Sequence, residues 1–210
     1  MSSIESRRMN GEKMSERSIH DIALIFAAKE GNASLIKDLL AKGADPKISN
    51  NHGNTALIMA CQESDSEIVN LLIQVGSNIH AANAIGNTGL LYASYNGQTE
   101  IVQRLLRAGA HVDVRNHQGN TPLIYSAYNG HLPVVRFLVE KAEAQIDQQD
   151  MEGRSALMWA VIRGKTDVMH YLLSKKAGTN LPDSLGCTIL DWAKVMERKE
   201  IEHVLINLAQ

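Results

Sequence analysis

The sequence predicts an all-α repeat solenoid, and three observations support this fold class. First, glycines recur at spacings of 33, 33, 34 and 33 residues, at Gly53, Gly86, Gly119, Gly153 and Gly186. Second, each glycine opens a similar segment, as in GNTALIMAC, GNTGLLYAS and GNTPLIYSA. Third, apolar residues follow at helical spacing, for example Ile101, Val102 and Leu105. Self-similarity at this period is typical of stacked units that bury their apolar faces against neighbours.

One repeat, at residues 86–110, shows the elements most clearly. Thr88 is a candidate N-cap, because its hydroxyl can accept a hydrogen bond from an unpaired N–H of the first helical turn. Gly97 then separates this helix from a second one, and Gly109 ends the second helix, where a left-handed residue is common. Residues 110–118 are predicted to cross to the next repeat as an extended finger.

The repeated segment resembles the ankyrin repeat over residues 20–210. GNTGLLYASYNGQTEIVQRLLRAGA is similar nearly throughout to the family pattern G-x-T-P-L-H-x-A-A, turn, I-V-x-x-L-L-x-x-G-A. One position departs in every copy, because the family histidine is replaced by Ile58, Leu91, Ile124, Met158 and Asp191. The resemblance implies an ankyrin array of about six helix-turn-helix units, four full and two capping, joined by β-hairpin-like fingers.

The domain boundaries follow from this register. Residues 1–18 are predicted to be a flexible polar tail, and residues 19–210 a single repeat domain with units at about 19–52, 53–85, 86–118, 119–152, 153–185 and 186–210. Capping-box spacing at Ser18 and Asp21, and again at Thr188 and Asp191, predicts that both ends are capped, so the array is expected to be complete.

Two repeats lack the glycine that ends the second helix. Ala142 and Lys176 stand in its place, and the fourth repeat has one extra residue in KAEAQIDQQD. We therefore expect these two loops to be irregular, as tolerated variations in length and sequence.

The composition agrees with a soluble intracellular domain. A formal net charge of −2 gives no general attraction to nucleic acid or anionic membrane, so neither is expected as a partner. No apolar run reaches bilayer length, and the first residues lack a signal-peptide core. Cys61 and Cys187 are expected to be free thiols, which suits a reducing compartment. A cytoplasmic monomer is expected, with a nuclear location left open.

No enzymatic motif is present, so we expect no catalytic activity, cofactor or metal. The eight histidines include no H-E-x-x-H and no zinc spacing to cysteine. Gly164, Lys165 and Thr166 imitate the end of a phosphate loop, but Trp159 replaces the glycine required five residues earlier. These three residues are predicted to form an inter-helix turn instead.

Aromatic residues concentrate on the first helix of each repeat. At about 100° per residue, the column two positions after the core leucine lies roughly 200° from it and points away from the core. Tyr95 and Tyr128 follow three residues later on the same side. Packing between neighbouring helices is the alternative interpretation of this column, with equal weight for Phe26 and Trp192 at the ends. The aromatic residues of the first helices are Phe26, Tyr92, Tyr95, Tyr125, Tyr128, Trp159 and Trp192.

The resemblance implies that this side is the concave face of the array, which the family uses with its finger tips to hold partners. We predict a non-enzymatic module that binds a protein or an extended peptide there, with Arg115, Arg154 and Arg163 favouring an acidic partner. Two alternatives stay open: an aromatic cage for a methylated lysine or similar cation, and a regulatory or inhibitory subunit of an enzyme. The candidate partner-binding residues are Tyr92, Tyr95, Asn96, Arg115, His117, Asn120, Tyr125, Tyr128, Asn129, Arg154, Trp159 and Arg163.

Overall fold

A computed structural model describes residues 16–208, and within that range the protein is all-helical. It divides between Gly89 and Leu90 into an N-terminal body and a C-terminal body, which are described separately below. The described residues contain isolated bridges at Ser49 with Thr55, Ala82 with Thr88 and Gln149 with Ser155, but no longer strands. The twelve described helices are α1 (Glu16–Lys29), α2 (Ala33–Ala41), α3 (Ala56–Gln62), α4 (Ser66–Gln74), α5 (Gly89–Tyr95), α6 (Thr99–Arg107), α7 (Pro122–Asn129), α8 (Leu132–Glu140), α9 (Ala156–Ile162), α10 (Thr166–Ser174), α11 (Ile189–Val195) and α12 (Lys199–Leu208).

The Ser or Thr that follows each repeat glycine begins the first helix of its repeat. Thr55, Thr121, Ser155 and Thr188 are the N-caps of α3, α7, α9 and α11, and each hydroxyl accepts from the N–H three residues later. These bonds satisfy a donor that a helix start would otherwise leave unpaired. The Thr188 cap was predicted from the sequence, and the other three are the counterparts of the cap predicted at Thr88.

The position where the family has histidine lies in the core. Ile58, Leu91, Ile124 and Met158 are each at most 1% exposed, so an apolar side chain fills the site and removes the need for a polar partner. In the last repeat the same position is Asp191, whose carboxylate accepts from both the hydroxyl and the N–H of Thr188. These hydrogen bonds lower the pKa of Asp191.

The two predicted capping boxes have different outcomes. Thr188 and Asp191 form one at the start of α11, as expected. The prediction for Ser18 and Asp21 is wrong, because α1 begins at Glu16 and includes Ser18. The Asp21 carboxylate instead accepts from the N–H of Asp45 at 2.7 Å, 24 residues away. Residues 1–15 of the predicted tail lie outside the described residues.

The loops at Ala142 and Lys176 differ from each other. Lys176 has φ +63° and repeats the bonding of the glycine loops, with its N–H on Leu173 O and that of Ala177 on Leu172 O. The expected irregularity there is therefore wrong. In the fourth repeat the prediction holds, because the extra residue moves the left-handed position to Glu143, at φ +56°.

We expect Lys176→Gly to stabilise the protein. A side chain in the left-handed region costs more than the extra unfolded-state entropy of glycine, so the gain should be about 0.5–1 kcal/mol. The control is Gly109→Ala, at φ +101°, which should destabilise. Urea unfolding of the full chain measures both, and a lower midpoint for Lys176→Gly would contradict the left-handed assignment.

Candidate functional site

Three acidic or amide side chains organise the loops between repeats in the C-terminal body, and we call these loops fingers. Asn116 Oδ1 accepts from the N–H groups of Gln118 and Asn120, at 3.0 and 2.9 Å. Asp150 and Asp183 repeat this pattern with the residues two and four positions later, all at 2.9 Å. One side-chain oxygen therefore holds the turn of each finger.

The second polar atom of each of these side chains holds an aromatic ring nine residues later. Asn116 Nδ2 donates to the Tyr125 hydroxyl, whereas the indole N–H groups of Trp159 and Trp192 donate to Asp150 Oδ2 and Asp183 Oδ2; all three distances are 2.8 Å. The residue types are matched, because indole is only a donor and a carboxylate only an acceptor, whereas a phenol can accept from an amide. We call the residues of this column, Tyr92, Tyr125, Trp159 and Trp192, the first row.

A second row lies three residues further along the same helices. It consists of Tyr95, Tyr128, Ile162 and Val195. Tyr95 packs edge-on against Tyr125 at 5.4 Å between ring centroids, and Tyr128 packs against Trp159 at 5.1 Å. Tyr95 is 43% exposed and Val195 66% exposed, while Tyr128 and Ile162 are half-buried. The first row thus supports the second, which presents apolar surface to solvent.

Arginine guanidinium groups cover several of these rings. Arg154 lies over both Trp159 and Trp192, at 4.9 and 5.1 Å from the ring centroids, and it forms ion pairs with Glu152 and with Asp183. Its side chain is only 17% exposed. Arg163, which is exposed, lies 4.5 Å over the ring of Tyr128. Both contacts are within the range of cation–π attraction.

The Asp183 carboxylate is fully buried under these groups. Burial is the largest influence on its pKa and acts to raise it. Hydrogen bonds from the N–H groups of Cys187 and Leu185 and from Trp192, with the charge of Arg154, together outweigh burial and lower that pKa. Asp183 is therefore a charged, fixed part of the finger.

The finger tips pack closely and leave apolar side chains exposed. A Cβ at Gly119 would lie 2.8 Å from the backbone nitrogen of Met151, and that nitrogen donates to Gln118 O at 2.9 Å. Arg115 also reaches the next finger, where it donates to Gln149 O at 2.6 Å. Met151 is 73% exposed at its tip.

All twelve candidate binding residues lie in the C-terminal body. The aromatic ones form the two rows, and Asn129 joins them because its amide donates to Tyr95 O at 2.8 Å. Asn96 is exposed at the end of α5. Arg115, His117 and Asn120 lie on the finger, and Arg154 is held against the rings of both tryptophans.

Sequence reasoning missed the residues that position the first row. Asn116, Asp150 and Asp183 recur at the repeat spacing, each nine residues before an aromatic. An amide precedes tyrosine and a carboxylate precedes tryptophan, so the signal was present as a pairing of residue types. It also missed Ile162 and Val195, whose apolar character continues the second row.

The second helices carry a separate charged cluster. Tyr171 donates to Glu140 Oε1 at 3.1 Å, and Lys175 pairs with the same oxygen at 3.0 Å. The guanidinium of Arg136 lies 4.7 Å over the Tyr171 ring. Burial and the bond to Glu140 raise the pKa of Tyr171 to about 12, so the phenol stays protonated. The negative charge of Glu140 is paired with the positive charge of Lys175, as is typical of a cluster that stabilises the fold.

Other chemistry is sparse in the part of the chain that the structure describes. Residues 16–208 contain no group of three or more His, Cys, Asp or Glu that could hold a metal ion. No helix among them is long and apolar enough to cross a bilayer. Cys61 and Cys187 are free thiols, as predicted, and burial raises the pKa of Cys61 far above its ordinary value. Cys61 is therefore an unreactive core residue.

Short helices repeated in pairs, with loops between successive pairs, define a helical repeat protein. A family model described as ankyrin repeats in three copies matches residues 10–83, 65–150 and 142–210. The chain belongs to the ankyrin repeat family, whose repeats are protein–protein interaction modules. The comparison with curated proteins found no match.

Proposed function

We propose that the protein is a non-enzymatic module that binds a protein or an extended peptide on the first-helix face of its C-terminal body. This face consists of the first and second rows, and it corresponds to the concave face expected from the family. In this interpretation the helices form six units, four full and two capping, with hairpin-like fingers. The protein acts as a monomer in the cytoplasm or nucleus.

The observation that carries the proposal is the exposed second row on a fixed support. Tyr95 and Val195 offer apolar surface, and Tyr128 lies between them, held against Trp159. Rigid aromatic side chains contribute large contact area with little loss of conformational freedom, which is why they dominate interfaces. A face whose rings are already positioned binds without the cost of ordering them.

An acidic partner remains part of the proposal, although the three arginines contribute unequally. Arg154 is paired with Glu152 and Asp183, and Arg115 is engaged with Gln149 O. Arg163 is exposed, and its guanidinium lies 4.5 Å over the ring of Tyr128 in the second row. It is therefore the arginine of the three that a partner carboxylate can reach best.

The geometry favours this function over an aromatic cage. The cation positions over Trp159, Trp192 and Tyr128 are taken by the guanidinium groups of Arg154 and Arg163. A methylated lysine would have to displace them. A panel of methylated and unmethylated peptides distinguishes the two, since this proposal expects no preference for methylation. An enzyme subunit role has no observation that favours it.

Selection from a random-peptide phage library on the full chain tests the proposal. Peptides should bind the wild type and lose binding to Tyr95→Ala/Tyr128→Ala. Because both tryptophans of the chain lie in the first row, binding should also change the intrinsic fluorescence. Phe26→Ala is the matched control, since Phe26 is a 57% exposed first-helix aromatic in the N-terminal body. Equal binding to all three proteins would overturn the proposed face.

A further inference from the structure

A row of basic side chains runs along the inter-helix turns of the C-terminal body, beside the second row. We call it the cationic row, after the charges of Lys165 and Arg198, and His131 is its third member. Each of these side chains lies on the turn glycine of the preceding repeat. A Cβ built at that glycine would be 2.5 Å from His131 Nδ1, 2.8 Å from Lys165 Cδ and 3.0 Å from Arg198 Cζ, at Gly97, Gly130 and Gly164 respectively.

The cationic row borders the second row directly. His131 Nε2 lies 2.8 Å from the carbonyl oxygen of Tyr95, where the amide of Asn129 also donates. Arg163 contacts Tyr128 and precedes Gly164 and Lys165 in the chain, so it connects the two rows. Apolar surface and positive charge are thus adjacent on the first-helix face.

Helix capping does not explain the residue types at these positions. His131 and Lys165 are the N-cap residues of α8 and α10, and neither side chain makes a capping hydrogen bond. A positive charge at a helix N-terminus is also opposed by the helix dipole. In the N-terminal body the matching positions are Asn32 and Asp65, whose side chains cap α2 and α4. Lys165 thus stands where a capping residue would stabilise α10, and it makes no capping bond, which is a pattern found at functional sites.

The positive charge is also available to a partner. Arg154 forms ion pairs with the carboxylates of Glu152 and Asp183. In contrast, Arg163, Lys165 and Arg198 have no carboxylate within 4.0 Å among residues 16–208. Asp167 and Glu197 are exposed nearby and reduce the local charge without cancelling it. The chain as a whole has a net charge of −2, so a cationic stripe does not follow from its composition.

We propose that the cationic row, with Arg163, selects a peptide segment that carries Asp or Glu beside apolar side chains, with the apolar groups on the second row. This inference rests on the proposed binding face and adds its charge selectivity. Complementary charge on the rim of an apolar contact raises the association rate and rejects partners of the wrong sign. The net charge of −2 disfavours nucleic acid as the occupant of this face.

Sequence selection is the first test. Peptides selected from the random library should be enriched in Asp and Glu over Lys and Arg, and their affinity should fall as salt is raised. A single-stranded oligonucleotide should not compete with them. Selected peptides that depend on Tyr95 and Tyr128 but show no acidic enrichment would overturn this inference while leaving the proposed face intact. Competition by the oligonucleotide would also overturn it.

Lys165→Asp separates a binding role from a structural one. An aspartate can cap α10 as Asp65 caps α4, so the variant should unfold at a higher urea concentration than the wild type. Its affinity for a selected acidic peptide should nevertheless fall about tenfold, and that of Lys165→Gln about threefold. Lys141→Glu, a charge reversal at an exposed residue beyond the end of α8, is the control and should bind normally. Unchanged affinity for Lys165→Asp would contradict the inference.

Discussion

Asp150→Asn should destabilise the protein by about 2 kcal/mol, although it changes a single atom type. The asparagine oxygen can still accept from the N–H groups of Glu152 and Arg154, as Asn116 does in its own finger. The amide nitrogen would then face the indole N–H of Trp159, which donates to Asp150 Oδ2 at 2.8 Å. Two donors would meet in a largely buried site, so both would lose their partner.

Changing the ring should rescue this variant. In Asp150→Asn/Trp159→Tyr the amide can donate to a phenol oxygen, which repeats the bond between Asn116 and Tyr125. In the single variant Trp159→Tyr the phenol can donate to the carboxylate. The cost of Asp150→Asn should therefore be smaller in the Trp159→Tyr background by at least about 1 kcal/mol. Urea unfolding of the four proteins measures this coupling, and equal costs in both backgrounds would refute the pairing rule.

Loss of Tyr95 and Tyr128 should have the largest effect on binding. We expect each single alanine substitution to weaken the binding of a selected peptide by about 2 kcal/mol, or about thirtyfold in Kd. This is the range of interface hot spots. The fold should tolerate both changes. Tyr95 is 43% exposed, and its edge contact with Tyr125 contributes only about 1 kcal/mol.

The controls for this prediction are Phe26→Ala and Tyr125→Phe. Phe26→Ala removes an exposed aromatic from the N-terminal body and should leave Kd unchanged. Tyr125→Phe removes the hydroxyl bonded to Asn116 but keeps the ring beneath Tyr95, so it should lower stability more than affinity. Binding that survives the loss of both Tyr95 and Tyr128 would exclude the second row as the contact surface.

The repeat period predicted the helices well because it reports local geometry. The turn at Gly97 and the end of α6 at Gly109 each depend on a few adjacent residues, and both lie where the sequence placed them. Lys176 shows the limit of that reasoning. A non-glycine residue was expected to disturb the loop. Instead, the N–H groups of Lys176 and Ala177 donate to carbonyl oxygens of the preceding helix, and Lys176 stays in the left-handed region.

The candidate site was less predictable because it depends on contacts between repeats. The direction of Tyr95 away from the core followed from helical spacing alone. The position of Arg154 between Trp159 and Trp192 did not, since it requires side chains from two repeats and the ion pair with Asp183. A residue that looked available to a partner is therefore engaged within the protein.

The binding face can be tested most directly by amide chemical shifts of the labelled full chain during titration with a selected peptide. We predict that the shifted signals lie on α5, α7, α9 and α11 and on the turns that contain Gly97, Gly130 and Gly164. Signals of α6, α8 and α10 beyond their first turns should remain in place. Shifts centred instead on the charged cluster of the second helices, at Tyr171, Glu140 and Lys175, would contradict the proposed function.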